Sequence, residues 1–366
     1  MADLDGQPDA PRLGVVRDEV RAMRAYHVPD ASGLIKLDAM ENPFSLPPEL
    51  ARELGERLSR VALNRYPPAD PAEFKRQLAE SAGLPPGKAL MLGNGSDELI
   101  HLMVQACARH GPSGGAVVLA PTPTFVMYEV FARLDGCRFV GVPLQPDFRL
   151  DMAALLRAVE EHRPALLFVA YPNNPTGNLF ARADVQILLD RAPGLVVIDE
   201  AYCPFALQTW MPQLAERPNL VVLRTLSKLG LAGLRLGYAC ADPRWIVEFD
   251  KVRPPYNVGV LPLAAAAFLL DHFDVLGQQA SVIRSERGRL LGALRGLPGV
   301  TAFDSDANFI LLRVSDPDRL FAGLRTRGIL VKNVAGSHPL LWGCLRVTVG
   351  TPQENDALLQ ALGALS

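Results

Sequence analysis

Cysteine is scarce. The 366 residues hold five, at 107, 137, 203, 240 and 344, odd in number and irregularly spaced. That pattern excludes a disulfide framework and a thiolate zinc site, and the apolar neighbours point to free buried thiols in a reducing compartment. The six histidines show no metal-ligand spacing, so no metal centre is expected. An excess of charge is lacking too: 37 basic against 39 acidic residues leave a formal charge of −2. With no basic run to hold a polyanion, nucleic acid and anionic membrane drop out as main partners. No apolar run reaches membrane-spanning length. The opening MADLDGQPDAPRLG has no apolar stretch, so no secretory signal is expected and the expected location is the cytoplasm. Repeats and low-complexity tracts are missing. What remains is a globular composition, 49% hydrophobic and 21% charged, in a chain too long for one ordinary core.

From about residue 90 to 240, short apolar runs alternate with helical patterns. Strands are expected at 116–120, 137–144, 166–170, 195–198 and 220–223, with helices at 99–108, 125–134, 153–161 and 182–191. This alternation predicts an α/β fold, a mostly parallel mixed sheet covered by helices on both faces. Near 254–257, Pro-Pro-Tyr-Asn, the pattern changes. Helices at 263–273, 282–297, 317–327 and 353–365 then accompany strands at 308–314, 329–332 and 345–349, with Arg284, Arg287 and Arg289 expected on a solvated face. This predicts a smaller α+β domain, which the N-terminal arm and its strand at 34–37 would join. The expected division is an arm over 1–60, a large domain over 61–260 and a small domain over 261–366.

The strongest chemical signal is LVVLRTLSKLGLAGLR, residues 220–235. Lys228 follows a buried strand, where desolvation and a neighbouring cation disfavour the ammonium and make the amine a usable nucleophile and base. Thr225 and Ser227 before it and Arg235 after it suit a phosphate. A reactive amine beside a phosphate cup is what holding pyridoxal phosphate as a Schiff base requires; a surface lysine after a strand is the plainer reading. In MLGNGSDE, residues 91–98, two glycines permit a tight turn, Ser96 suits an N-cap, and the first-turn N–H groups form an anion site. Backbone and Ser96 are expected to make the contact, since Asp97 and Glu98 would repel an anion. The same stretch also suits a plain, well-capped helix. Asn174, Asp199 and Lys228 each follow the carboxyl end of an apolar strand, where parallel sheets bind ligands.

PNNPTG (172–177), DEAY (199–202), TLSK (225–228) and GLAGLR (230–235), in this order, resemble fold-type I pyridoxal-phosphate aminotransferases. The resemblance runs from about residue 26 to the C-terminus. It implies that Lys228 binds the cofactor covalently and, once released, moves a proton. It implies that Asp199 pairs with the pyridine nitrogen, that Asn174 and Tyr202 bond the ring's phenolic oxygen, and that Phe125 stacks on the ring. Glu200 is expected to point the other way. Ser96, Asp97, Thr225, Ser227 and Arg235 would hold the phosphate, with Tyr66 reaching it from the neighbouring subunit of a homodimer. Within that fold, NRYP, GNGSDELI and GILVKN…GCLRVTVGT are similar to the histidinol-phosphate aminotransferases. That implies histidinol phosphate and glutamate or 2-oxoglutarate as substrates, with Arg346 gripping the substrate anion and Tyr26, Asn174 and Lys332 assisting.

The sequence also departs from that family. Seven positions separate Lys228 from Arg235, one fewer than many aminotransferases show, so a tighter loop is expected, made feasible by Gly230. Met40 stands where many relatives have asparagine, Ala25 where they have proline, and Lys332 where some have arginine. The resemblance implies that these positions surround the substrate and not the cofactor. An aromatic amino-acid aminotransferase or a threonine-phosphate decarboxylase would share the same cofactor motifs.

Overall fold

The structure, a computed structural model, describes residues 13–23, 25, 29–108 and 115–365. Its strands are β1 (Ile35–Leu37), β2 (Ala89–Gly93), β3 (Val117–Thr122), β4 (Arg138–Pro143), β5 (Leu166–Ala170), β6 (Leu195–Asp199), β7 (Leu220–Thr225), β8 (Gly237–Ala241), β9 (Thr301–Ala302), β10 (Phe309–Arg313), β11 (Ile329–Asn333) and β12 (Cys344–Thr348). Seven form one sheet in the order β2-β8-β7-β6-β5-β3-β4. From β7 to β4 every pairing is parallel, and β8 runs antiparallel to both of its neighbours. The expected mixed, mostly parallel sheet is therefore present.

Strands β5 and β6 are buried along their whole length. Helices cover both faces, so neither face needs polar residues and the strands read as apolar runs up to Asp199. The period of two survives in the packing. Leu167, Val169, Val196, Ile198 and Val222 join one apolar cluster, while Leu166, Phe168, Leu195, Val197 and Val221 join the cluster on the opposite face. Each such side chain contributes roughly 1.5–3 kcal/mol by leaving water.

The second sheet has the order β1-β11-β12-β10-β9. β1 runs parallel to β11, so the arm supplies its edge. Ala201, Tyr202 and Phe205, just past β6, pack into the core of this second sheet. The carboxyl ends of β5, β6 and β7 thus face the smaller sheet across a shared wall.

Several local expectations need correction. Residues 260–295 form two helices, Val260–Leu270 and Phe273–Arg295, which meet at 79°. Arg284 and Arg287 do not lie on a solvated face: they donate to the carbonyls of Pro204, Phe205 and Ala307. Ser96 is not an N-cap. The helix Gly95–Cys107 begins two residues earlier than a Ser96 cap would place it, and its cap, Asn94, makes no capping side-chain bond. Among the described residues no single helix is long and apolar enough to cross a membrane.

Candidate active site

Three parallel strands deliver the central groups side by side. Ala170 at the end of β5 pairs with Asp199 at the end of β6, and Asp199 pairs with Leu223 on β7. Past these ends the chain leaves the sheet and opens a cavity of ≈390 Å³. Asn174, Asp199, Tyr202 and Lys228 line it together, with Phe125 and Met40. Ser96, Asp97, Thr225, Ser227 and Arg235 line it as well. A cavity of ≈440 Å³ beside Tyr256 is larger, but its Lys75, Lys251 and Arg253 are paired with Asp70, Glu248 and Asp250, and no reactive group faces it.

The Lys228 amine donates to the Ala39 carbonyl at 3.3 Å. Burial, and after it the Arg346 guanidinium, lowers its pKa to about 8. Desolvation removes the water that an ammonium needs, and a nearby cation repels it. Asp199 is 5% exposed; burial raises its carboxyl to about 6 against the opposing bonds from Tyr128 and Ala201. Glu200 does point the other way. Its side chain is fully enclosed, paired with Arg224 at 2.8 Å and bonded by Thr209 and the Trp210 N–H.

The end of the cavity lined by Ser96, Asp97, Thr225, Ser227 and Arg235 is built from three chain segments. Arg235 approaches Asp97 at 3.7 Å. Glu98 turns aside and accepts from Asn94 N–H and Asn257, both at 2.7 Å. Gly95 has φ +80°, and a Cβ there would lie 2.9 Å from Arg235 Nη2. A Cβ on Gly237 would lie 2.8 Å from the Ser96 nitrogen. The helix start, the guanidinium and β8 therefore close on one another only because two side chains are missing. The Thr225 hydroxyl donates to Leu236 O at 3.2 Å and accepts the Ser227 N–H at 3.2 Å, fixing the Ser227 turn. Gly230 has φ +113° with Asn42 Nδ2 2.8 Å from its would-be Cβ, so the short Lys228–Arg235 loop does depend on it. Amine, buried carboxylate, aromatic wall and a helix start beside a guanidinium suit a flat heteroaromatic ring carrying a phosphate.

Arg346 lies behind the cavity, 7% exposed. Its Nη1 donates to Asn174 Oδ1 at 2.6 Å and its Nη2 to Asp38 O at 2.8 Å. Lys332 stands directly across from it in the β11–β12 register, so the two side chains leave the same face of that sheet, although neither is among the residues lining the cavity. Tyr66 is 80% exposed and stacks on Tyr256 at 4.8 Å, outside the cavity. Tyr26 lies outside the described residues. Two contributors escaped the sequence reading. The Tyr128 hydroxyl donates to Asp199 Oδ2 at 2.7 Å, although the residue reads as core. Met40, expected around the substrate and not the cofactor, instead lines the same cavity as Asp199 and Lys228 and accepts the Tyr202 hydroxyl on its sulfur at 3.2 Å; its unusual identity was legible, its contact was not.

Residues 32–362 match the family described as aminotransferase class I and II. Histidinol-phosphate aminotransferase 1 of Ralstonia nicotianae is 58% identical over 355 residues, 96% of this chain and 94% of its own length. Histidinol-phosphate aminotransferase of Methylibium petroleiphilum is 56% identical over 366 residues, 99% of this chain and 98% of its own. Among solved structures, histidinol-phosphate aminotransferase from Sinorhizobium meliloti in complex with pyridoxal-5'-phosphate has the same fold, with a TM-score of 0.83, 24% identity and coverage of 95% and 96% of the two chains.

Proposed function

The chain belongs to the class I and II aminotransferase family, and on that premise we propose that it transfers an amino group between L-histidinol phosphate and 2-oxoglutarate, giving 3-(imidazol-4-yl)-2-oxopropyl phosphate and L-glutamate. It is a pyridoxal-phosphate-dependent aminotransferase of histidine biosynthesis. The observation that carries this reading is the single cavity shared by Lys228, Asp199 and the anion-binding group of Ser96, Ser227 and Arg235, in a chain 58% identical to a relative of that name.

When bound there, pyridoxal phosphate supplies an electron sink for the electrons left on the substrate carbon as its proton departs. The chain's residues supply the rest. Lys228, with a pKa of about 8, takes and returns the proton at that carbon near neutral pH. Asp199 holds a proton on the ring nitrogen by its negative charge. Asn174, whose Oδ1 is taken by Arg346 so that its amide hydrogens remain as donors, and the Tyr202 hydroxyl would hold the cofactor's phenolic oxygen, and Phe125, on the same cavity wall, would hold its ring. Arg346, whose flat fork matches a carboxylate or a phosphate equally, grips both substrates in turn, with Lys332 and Tyr26 assisting.

The working unit in this reading is a cytoplasmic homodimer. Tyr66 stands on the surface beside Tyr256 and outside its own chain's cavity, which supports a role at the phosphate of a second copy. The arm 1–60, the large domain 61–260 and the small domain 261–366 are its proposed divisions. Glutamate-dependent amination of imidazole-acetol phosphate by the purified yellow protein tests the reaction. Carbon dioxide release from threonine phosphate, or faster turnover of aromatic amino acids, would replace it. Mixing Tyr66→Phe with Lys228→Ala protein should restore part of the activity if sites are shared between copies.

A further inference from the structure

We propose that Tyr128 is a positioning residue whose hydroxyl holds the Asp199 carboxylate as an anion with its bonding edge turned to the cavity. This rests on the reading of Asp199 given above. Tyr128 is completely buried. Its ring stacks on Phe168 at 4.5 Å and 10°, and meets Phe125 edge-on at 5.6 Å. A phenylalanine would satisfy every one of those contacts. Burying a hydroxyl in such a setting is unfavourable unless it is bonded, and the bond it makes is the 2.7 Å contact to Asp199 Oδ2. The other oxygen accepts the Ala201 N–H at 3.0 Å. Each carboxylate oxygen thus has one protein donor, and Asp199 still lines the cavity.

The surroundings explain why a donor is needed. Asp97, from the helix Gly95–Cys107, and Glu200, next in the chain, are like charges that act against ionisation of Asp199. No guanidinium bonds Asp199 among the described residues: Arg224 pairs with Glu200, Arg235 lies 3.7 Å from Asp97, and Arg346 donates to Asn174 and Asp38. Tyr202 and Lys228 share the cavity with Asp199. The phenol cannot itself become a second anion, because burial and then the Asp199 charge push its pKa well up. It donates at every working pH.

The test is Tyr128→Phe, which keeps the ring. In the wild-type apoprotein, folding raises the Asp199 pKa from 3.8 to about 6. The folded chain therefore binds the extra proton, and stability falls as pH rises across that interval. Without the phenol the fall should continue about one pH unit higher, the usual weight of a bond to a charged group. Thermal unfolding of both apoproteins from pH 5 to 8.5 reads this directly. Affinity for pyridoxal phosphate, by equilibrium dialysis, should drop about threefold at pH 6.5, as the ionised fraction of Asp199 does for a one-unit shift, and recover by pH 8.5. Both effects should vanish in an Asp199→Asn background. Parallel unfolding curves, or an affinity loss equal at both pH values, would overturn the positioning role and leave the aminotransferase reading standing. Should the variant not fold, the wild-type apoprotein decides: a low-field Tyr128 hydroxyl proton in its NMR spectrum that moves upfield in Asp199→Asn supports the bond, and its absence refutes it. A wild-type protein that binds no pyridoxal phosphate would sink the underlying reading and this proposal with it.

Discussion

Replacing Lys228 with methionine should stabilise the apoprotein, by an amount set by pH. The amine titrates near 8 in the fold against 10.5 for an ordinary lysine. Below pH 8 both folded and unfolded chains carry the proton, and the fold bears the full cost of an ammonium held among apolar walls beside Arg346. Between 8 and 10.5 the folded chain releases its proton first. The unfolded chain then binds more protons, so stability rises with pH through that window. The gap between the two values corresponds to about 3 kcal/mol, or roughly 4 °C in Tm for a chain of this length. Methionine fills a similar volume and has no proton to lose. The measurement is calorimetric unfolding of both apoproteins from pH 7 to 10.5, followed as the difference between them, so that all other titrations cancel. The variant should lead at pH 7 and the lead should shrink by about 3 kcal/mol by pH 10.5. A constant difference, or one that grows with pH, would refute the claim that this amine is held against its charged form.

Three further outcomes are expected. Asp199→Ala should lower kcat by roughly 10²–10⁴ while the anion-binding group keeps pyridoxal phosphate bound; near-normal turnover would remove its role. Arg346→Ala strips a donor from both Asn174 and Asp38 and should cut kcat/KM about 100-fold for both substrates, whereas a loss confined to one would separate their anion sites. Gly95→Ala forces a side chain into φ +80° and against Arg235; unfolding should show a loss of about 1–2 kcal/mol, and dialysis a cofactor affinity at least several-fold weaker.

The reactive core was legible because it obeys short-range rules. Apolar runs ending in Asp199 and just before Lys228 announce buried strand ends, and glycines at 95 and 230 announce turns that only glycine accommodates. The long-range contacts were not legible. Arg284 and Arg287 look solvated by helical spacing, yet their acceptors lie on a turn about 80 residues earlier in the chain. Tyr128 sits on an amphipathic helix and reads as core, since its partner is 71 residues away. Ser96 looks like a cap, but Gly95 takes the first helical position with a conformation that a side chain would resist.

The arm threads between the two sheets with no slack. Leu37 is locked in register with Val331. The next three residues then offer the Asp38 carbonyl to Arg346, the Ala39 carbonyl to Lys228, and both backbone groups of Met40 to Thr348 and Asn308. A single inserted residue between 37 and 40 would swing all of these away from their partners at once, whereas a fusion placed ahead of residue 34 would leave that spacing untouched. For anyone attaching a tag or grafting this arm onto a related scaffold, the permissible junction therefore ends one residue short of the first strand.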